Sequence, residues 1–264
     1  MIDAHIHIDN RNRENLELMA LAGLSRLVGV SAYLTSFSYD SRTLFDYFER
    51  LLKWEIPRCR RELIDLYIGV GVSMVAVPTD WEKVIERLPE YFAEDRVVCI
   101  GECGLDPKSK TCPDMGEQEE LLKAQMRLSA EYDFPMNIHT PDNDKLKWAE
   151  KYLKLAQETG VKLSNIILDH QAPETVPYVL EMGFNAGITV QPCRGLTPAA
   201  IARFLAGCED YERITLDSDC SQARASDSLS VPLTVHELKK LGAGEDLIEA
   251  VAWKNANRIY RIPE

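Results

Sequence analysis

The sequence predicts a (β/α)₈ barrel, and three observations carry that expectation. Eight short runs of β type alternate with helical patterns along the chain, as βα units around a parallel sheet require. The runs are apolar without alternation, as in Tyr67-Ile68-Gly69-Val70 and Ile166-Ile167-Leu168, which suits strands covered on both faces. The length of 264 residues is close to the roughly 250 typical of such a barrel, so residues 1–264 are expected to form a single domain.

In chain order the strands are expected at 2–8, 25–32, 66–72, 97–102, 135–139, 165–169, 184–190 and 213–217. Between them, residues 41–55 carry Leu44, Phe45, Phe48, Leu51 and Leu52 at helical spacing, and 117–132 carry Leu121, Leu122, Ala124 and Leu128. Asp80 precedes a helix ending near Tyr91, and Thr197-Pro198 reads as an N-cap followed by proline at the first helical position. Gly160, Gly183 and Gly242 stand where helix ends call for a left-handed residue. The longer connection 107–115 is expected to overhang the open end of the barrel.

The formal net charge of −12 repels nucleic acid at long range and gives no broad basic footprint. A nuclease is not thereby excluded, because metal ions in a cleft neutralise phosphates locally. The seven cysteines are scattered and form no Cys-x-x-Cys pair, so free thiols in a reducing compartment are expected rather than a zinc ribbon or a disulfide framework. The start Met1-Ile2-Asp3 lacks the basic and apolar regions of a signal peptide, and no apolar run reaches membrane-spanning length. A cytoplasmic protein is the expectation.

Chemistry concentrates at the predicted strand ends. The first strand reads Asp3-Ala4-His5-Ile6-His7, and residues two apart share a face, so both imidazoles can grip one cation. Two hydrogen-bonded polar residues at a strand end would read the same. The fourth run closes on Glu102 between Gly101 and Cys103-Gly104, and a glutamate there is costly to bury unless paired or metal-bound. A carboxylate capping a turn is the equal alternative. His139 and His170 end the fifth and sixth runs, and the eighth leads into Asp217-Ser218-Asp219. Four of the five histidines fall in this set, while His236 lies within a helical pattern and reads as structural. Four imidazoles and two carboxylates suit zinc, and also manganese, magnesium, nickel or iron. The natural division is His5, His7 and Asp219 on one ion, His139 and His170 on a second, and Glu102 between them. Cys103 and Cys220 each follow a proposed ligand and should pack away from the metals.

These segments resemble the TatD-like metal-dependent hydrolases of the amidohydrolase superfamily. The likeness rests on Ile2-Asp3-Ala4-His5-Ile6-His7, Gly101-Glu102-Cys103-Gly104-Leu105-Asp106, Gln118, Pro135-Met136-Asn137-Ile138-His139-Thr140, His170, Leu180-Glu181-Met182-Gly183-Phe184, Leu216-Asp217-Ser218-Asp219 and Lys254-Asn255-Ala256-Asn257-Arg258-Ile259-Tyr260. The resemblance implies a barrel with one or two divalent metals and metal-assisted hydrolysis, DNase-type phosphodiester cleavage being the best-known activity. It aligns Asp219 as the ligand and Asp217 with a glutamate of the family motif, leaving Asp217 as the competing ligand. Asp219 is then the candidate general base, with Asp106 and Asp217 as supports for imidazoles or loop amides.

Three positions depart from the family pattern. Ser73-Met74 stands where His-Pro is usual, Pro141 where an arginine is usual, and Gln171-Ala172-Pro173 where Phe-Ser-Gly is usual. All three are expected where substrate is contacted. The resemblance makes phosphodiester hydrolysis the expected activity, while the three departures and the acidic charge weigh toward the alternative, C–N or lactone hydrolysis of a small molecule. A non-catalytic metal-binding scaffold is the third reading.

Overall fold

Eight parallel strands, each paired with its neighbour in the chain, are arranged in the order β1 to β8. They are seen in a computed structural model that describes residues 1–31, 40–221 and 227–263. The strands are β1 (Ile2–Ile6), β2 (Arg26–Val30), β3 (Asp65–Val70), β4 (Val97–Gly104), β5 (Met136–His139), β6 (Ile166–Leu168), β7 (Asn185–Thr189) and β8 (Ile214–Asp217). All eight fall on the expected runs. Ala32, the last residue expected in the second, lies outside the described residues. The chain closes where Cys220 bridges Ile6 and the Asp219 N–H donates to the His5 carbonyl at 3.0 Å.

The helices in chain order are α1 (Arg13–Leu21), α2 (Ser41–Arg50), α3 (Ile56–Arg61), α4 (Glu82–Tyr91), α5 (Met115–Tyr132), α6 (Lys145–Thr159), α7 (Val176–Glu181), α8 (Pro198–Ala206), α9 (Ser230–Lys240), α10 (Glu245–Glu249) and α11 (Asn255–Ile259). The single helix expected over 41–55 is α2 followed by a π-helical turn, Leu51–Glu55, that leads into α3. Thr197 caps α8 by accepting from the Ala200 N–H at 3.2 Å. Gly160, Gly183 and Gly242 all take positive φ, at 76°, 101° and 71°. Among the described residues no helix is long and apolar enough to cross a membrane.

Two apolar layers hold the barrel. Leu27, Ile68, Ile138 and Leu168 face helix residues such as Leu121 and Val179. A second cluster joins Ile2, Val28, Val30 and Tyr67 to Ile259 and Tyr260 near the C-terminus. The Tyr260 hydroxyl reaches the Ala4 carbonyl at 3.0 Å and accepts from the Asn137 amide at 3.1 Å, so α11 is tied to the strands that carry the site.

The strand register is irregular at two places that matter. β1 advances from Asp3 to Ile6 while β2 advances only from Leu27 to Gly29. β4 advances from Ile100 to Cys103 while β5 advances from Met136 to Ile138. Such bulges re-aim side chains, and these two enclose His5 and Glu102.

Candidate metal centre

The six proposed ligands converge at the carboxyl ends of the strands as two facing triads. His5, His7 and Asp219 form one, and Glu102, His139 and His170 form the other. Within the first, His7 Nε2 lies 3.2 Å and His5 Nε2 3.8 Å from Asp219 Oδ1. The two Nε2 atoms stand 3.4 Å apart, both near the same carboxylate oxygen. Within the second, His139 Nδ1 lies 3.0 Å and His170 Nε2 3.4 Å from Glu102 Oε1. The His5 and His170 rings approach to 5.4 Å between centroids, which brings the triads side by side. Glu102 thus stands with His139 and His170, and its charge also reaches His5.

Neutral imidazoles and carboxylates are donors for a divalent cation, and here the donor atoms of each triad lie within 4.8 Å of one another. The buried Nδ1 of His7 has no hydrogen-bond partner. His5 and His170 have their other ring nitrogens held, His5 Nδ1 by Asp169 Oδ2 and His170 Nδ1 by Thr189 Oγ1 at 2.8 Å. That leaves their Nε2 atoms facing the triads, the arrangement metal-binding histidines need. The residues fit one or two cations.

The backbone is shaped to present these groups. His170 and Asp219 both lie in the left-handed region, at φ 58° and 42°, which is uncommon for residues with a side chain. The His170 N–H is held by Asp169 Oδ1 at 2.7 Å and the Asp219 N–H by the His5 carbonyl. Strain of this kind gathers at functional sites. Gly104 is needed for a related reason, because a Cβ there would stand 2.8 Å from the His139 carbonyl oxygen.

Electrostatics follow from burial and contact. Burial alone would raise the Glu102 carboxyl, but hydrogen bonds from His139 and His170 outweigh it and hold the group well below the usual carboxylate range. Asp219 is likewise held low by its bond to His7 and the nearby histidine charges, against the opposing effect of burial. Its second oxygen accepts from Gln191 Nε2 at 2.7 Å. Burial would lower His5, but the charge and hydrogen bond of Asp169 push it well above the ordinary imidazole value.

Asp217 does not reach the mouth of the site. It groups with His5 and Asp169 instead, and burial together with the Asp169 charge raises its carboxyl well above the ordinary value. Of the two aspartates left open by the sequence, Asp219 is the one beside His7. Asp106 supports a loop amide, its Oδ1 accepting the Lys108 N–H at 2.8 Å. The Cys103 thiol points to the Asn137 carbonyl and the Cys220 sulfur accepts from Arg11. The seven cysteines, all among the described residues, form no disulfide.

Residues not singled out from sequence complete the site. Asp169 holds His5, Thr189 holds His170, Gln191 holds Asp219, and Asn137 donates to Asp169 Oδ2 at 3.0 Å. Asp3 is fully buried, accepts the Ser218 hydroxyl at 2.6 Å, and has its carboxyl pushed up by burial to about 6. The signal for Asp169 was present: a carboxylate directly after the apolar run Ile166-Ile167-Leu168 invites the argument made for Glu102. Gly187 lies against the Asp169 carboxylate, and a Cβ there would stand 3.0 Å from Asp169 Cγ and closer still to Oδ1. Gly187→Ala should therefore displace Asp169 and weaken metal binding about ten-fold or more, measured by metal titration. Unchanged affinity would show that Asp169 is free to shift.

The pocket between the triads is small, about 70 Å³, and its lining includes Ser73, Met74, Asp106 and Ser221 beside five of the six ligands. The loop expected to overhang the barrel packs beside β3's loop, where Ser109 and Thr111 hydroxyls donate to the Met74 carbonyl, and Met74 in turn lines the pocket. Of the three departures, Ser73 faces the pocket, whereas Gln171 is buried and bonded to Thr140 and Thr175.

The sequence model of the family described as TatD related DNase matches residues 2–261. The chain belongs to this family. A metal-dependent hydrolase of Methanocaldococcus jannaschii is 32% identical over 263 residues, covering 99% of this chain and 100% of that one. The 3′-5′ ssDNA/RNA exonuclease TatD of Cronobacter sakazakii is 29% identical over 195 residues, 66% of this chain and 69% of its own. The crystal structure of a TatD-like protein from Archaeoglobus fulgidus superposes with a TM-score of 0.79 at 26% identity, covering 99% of this chain and 100% of that one. A TatD family hydrolase with residues grouped to bind metal is the reading these findings share.

Proposed function

We propose that this TatD family member is a divalent-metal phosphodiesterase acting on nucleic acid ends or short oligonucleotides. The observation that carries the reading is the pair of facing triads, with His5, His7 and Asp219 for one cation and Glu102, His139 and His170 for the other. The donor set suits zinc first. The two triads would hold divalent ions, which when bound would lower the pKa of water to about 7 and stabilise charge on attacking and leaving oxygens.

The chain's own residues supply positioning and proton transfer. Asp169 fixes the tautomer of His5, and Thr189 orients His170. Asp219 accepts the proton of the attacking water through its carboxylate, whose Oδ1 faces His7 and the cation position while Gln191 holds Oδ2 and so the carboxylate's rotation. The family relatives named as exonucleases support the phosphodiester, and seven cysteines without a disulfide support a reducing, cytoplasmic setting.

A small-molecule C–N or lactone substrate is the second reading, favoured by the pocket of only about 70 Å³ and the net charge of −12. One experiment separates the two: turnover of phosphodiester, amide and lactone panels by metal-analysed protein, with salt varied. A nuclease should act on the first panel and lose affinity steeply as salt rises, whereas a small neutral substrate is indifferent to salt. Activity confined to amides or lactones overturns the proposal. Metal-free protein silent on every panel would point to a scaffold.

A further inference from the structure

A second cavity lies beside the pocket of the candidate metal centre. Its volume is about 260 Å³ against about 70 Å³, and the two share His139 and Asp106. Sharing those two walls sets a group lodged there next to the candidate metal centre. The walls come from two connections, the one between β4 and α5 and the one between β5 and α6. Pro107 and Pro141 supply flat apolar surface, and Trp148, on the first turn of α6 and partly buried against the core, supplies an aromatic one. The rim is polar, with Lys108, Asn143 and Asp144. Two of its carboxylates are already engaged, Asp142 by Arg194 and Asp106 by the Lys108 N–H.

We propose that this cavity is a subsite for the nucleobase next to the scissile phosphate; the assignment rests on the phosphodiester reading above. A flat heteroaromatic ring is the group that Trp148 and two prolines fit, since every base offers a π-face for stacking. Asn143 offers a donor and an acceptor, and Asp144 an acceptor, to the polar edge of such a ring. Lys108 at the rim answers the next phosphate along the strand. A purely aliphatic or a compact anionic substrate would leave the ring and amide without use. The subsite also fits an acidic protein, because stacking and edge contacts need no basic surface.

The test compares two trinucleotides with the metal-loaded enzyme, one complete and one abasic at the position next to the cleaved bond. Stacking on one aromatic side chain is expected to give the complete trimer about a ten-fold advantage in kcat/KM, carried mainly by KM. Trp148→Leu, which keeps bulk but not aromaticity, should bring the ratio close to one. Trp148→Phe should retain most of it, and Asn143→Ala should lower it for some bases more than others. A ratio near one in the unmodified enzyme, or one that survives Trp148→Leu, overturns the subsite while phosphodiester cleavage stands. No cleavage of either trimer overturns the phosphodiester reading, and the subsite falls with it.

Discussion

Asp219→Asn should lower kcat by about 10² to 10⁴-fold while the protein still binds metal. Asparagine keeps the shape and one oxygen facing His7 but has no basicity, so proton acceptance from water is lost and ligation is only weakened. The environment argues that the aspartate is ionised and aimed: its bond to His7 and the charges of His170 and His5 hold the carboxyl low, and Gln191 fixes the other oxygen. The bond from the Asp219 N–H to the His5 carbonyl, which holds its left-handed backbone, is untouched by the change, so the variant should fold. Two measurements decide the matter, kcat at saturating metal and metal content by elemental analysis. Full turnover with metal bound would remove Asp219 from proton transfer. Loss of metal together with activity would leave it a ligand alone.

The barrel was legible because its signal is repeated. Continuous apolar runs such as Tyr67-Ile68-Gly69-Val70 and Ile166-Ile167-Leu168 recur between amphipathic segments, and each locates one strand. The residues that converge in the two triads could be singled out because a strand's carboxyl end is where a polar residue inside an apolar run has a use. What stayed hidden depends on long-range geometry. Period-two reasoning put His5 and His7 on one face, which the triad agrees with, yet it gives no sign of the bulge between Asp3 and Ile6. Nor does local spacing reveal that Asp217 turns toward Asp169 while Asp219, two residues later, meets His7. That choice follows from β8 docking against β1, through the Ser218 and Asp219 amides bonding Asp3 and the His5 carbonyl. Thr189 and Gln191 are unremarkable in sequence, and only the closure of β7 beside β6 and β8 gives them histidine and aspartate partners.

Asp169→Asn should cost both metal affinity and fold stability, and the two losses should respond differently to a second change at Asp217. Asp169 is buried, joined to His5 Nδ1, and bonded by Asn137 and the His170 N–H. Removing its charge frees His5 to rotate and change tautomer, for which a drop of about 10 to 100-fold in metal affinity is expected. In the metal-free protein the opposite shifts of the pair set the pH window. The Asp169 carboxyl is held low by the His5 and His170 charges against burial, so its contribution is present above about pH 4 and lost as pH falls through the depressed value. His5 is raised, so its contribution is full below about pH 6.5 and lost only as pH climbs through the raised value. The deficit of the variant should therefore be largest between those limits, at about 1–3 kcal/mol by thermal or urea unfolding. It is held to that size by Asp217, whose carboxyl is kept protonated by burial and by the Asp169 charge. Once that charge is gone, Asp217 can ionise and partner His5. The double variant Asp169→Asn with Asp217→Asn loses this replacement and should be destabilised by more than the sum of the single changes. Additive losses would mean that Asp217 packs beside the pair without sharing its charge.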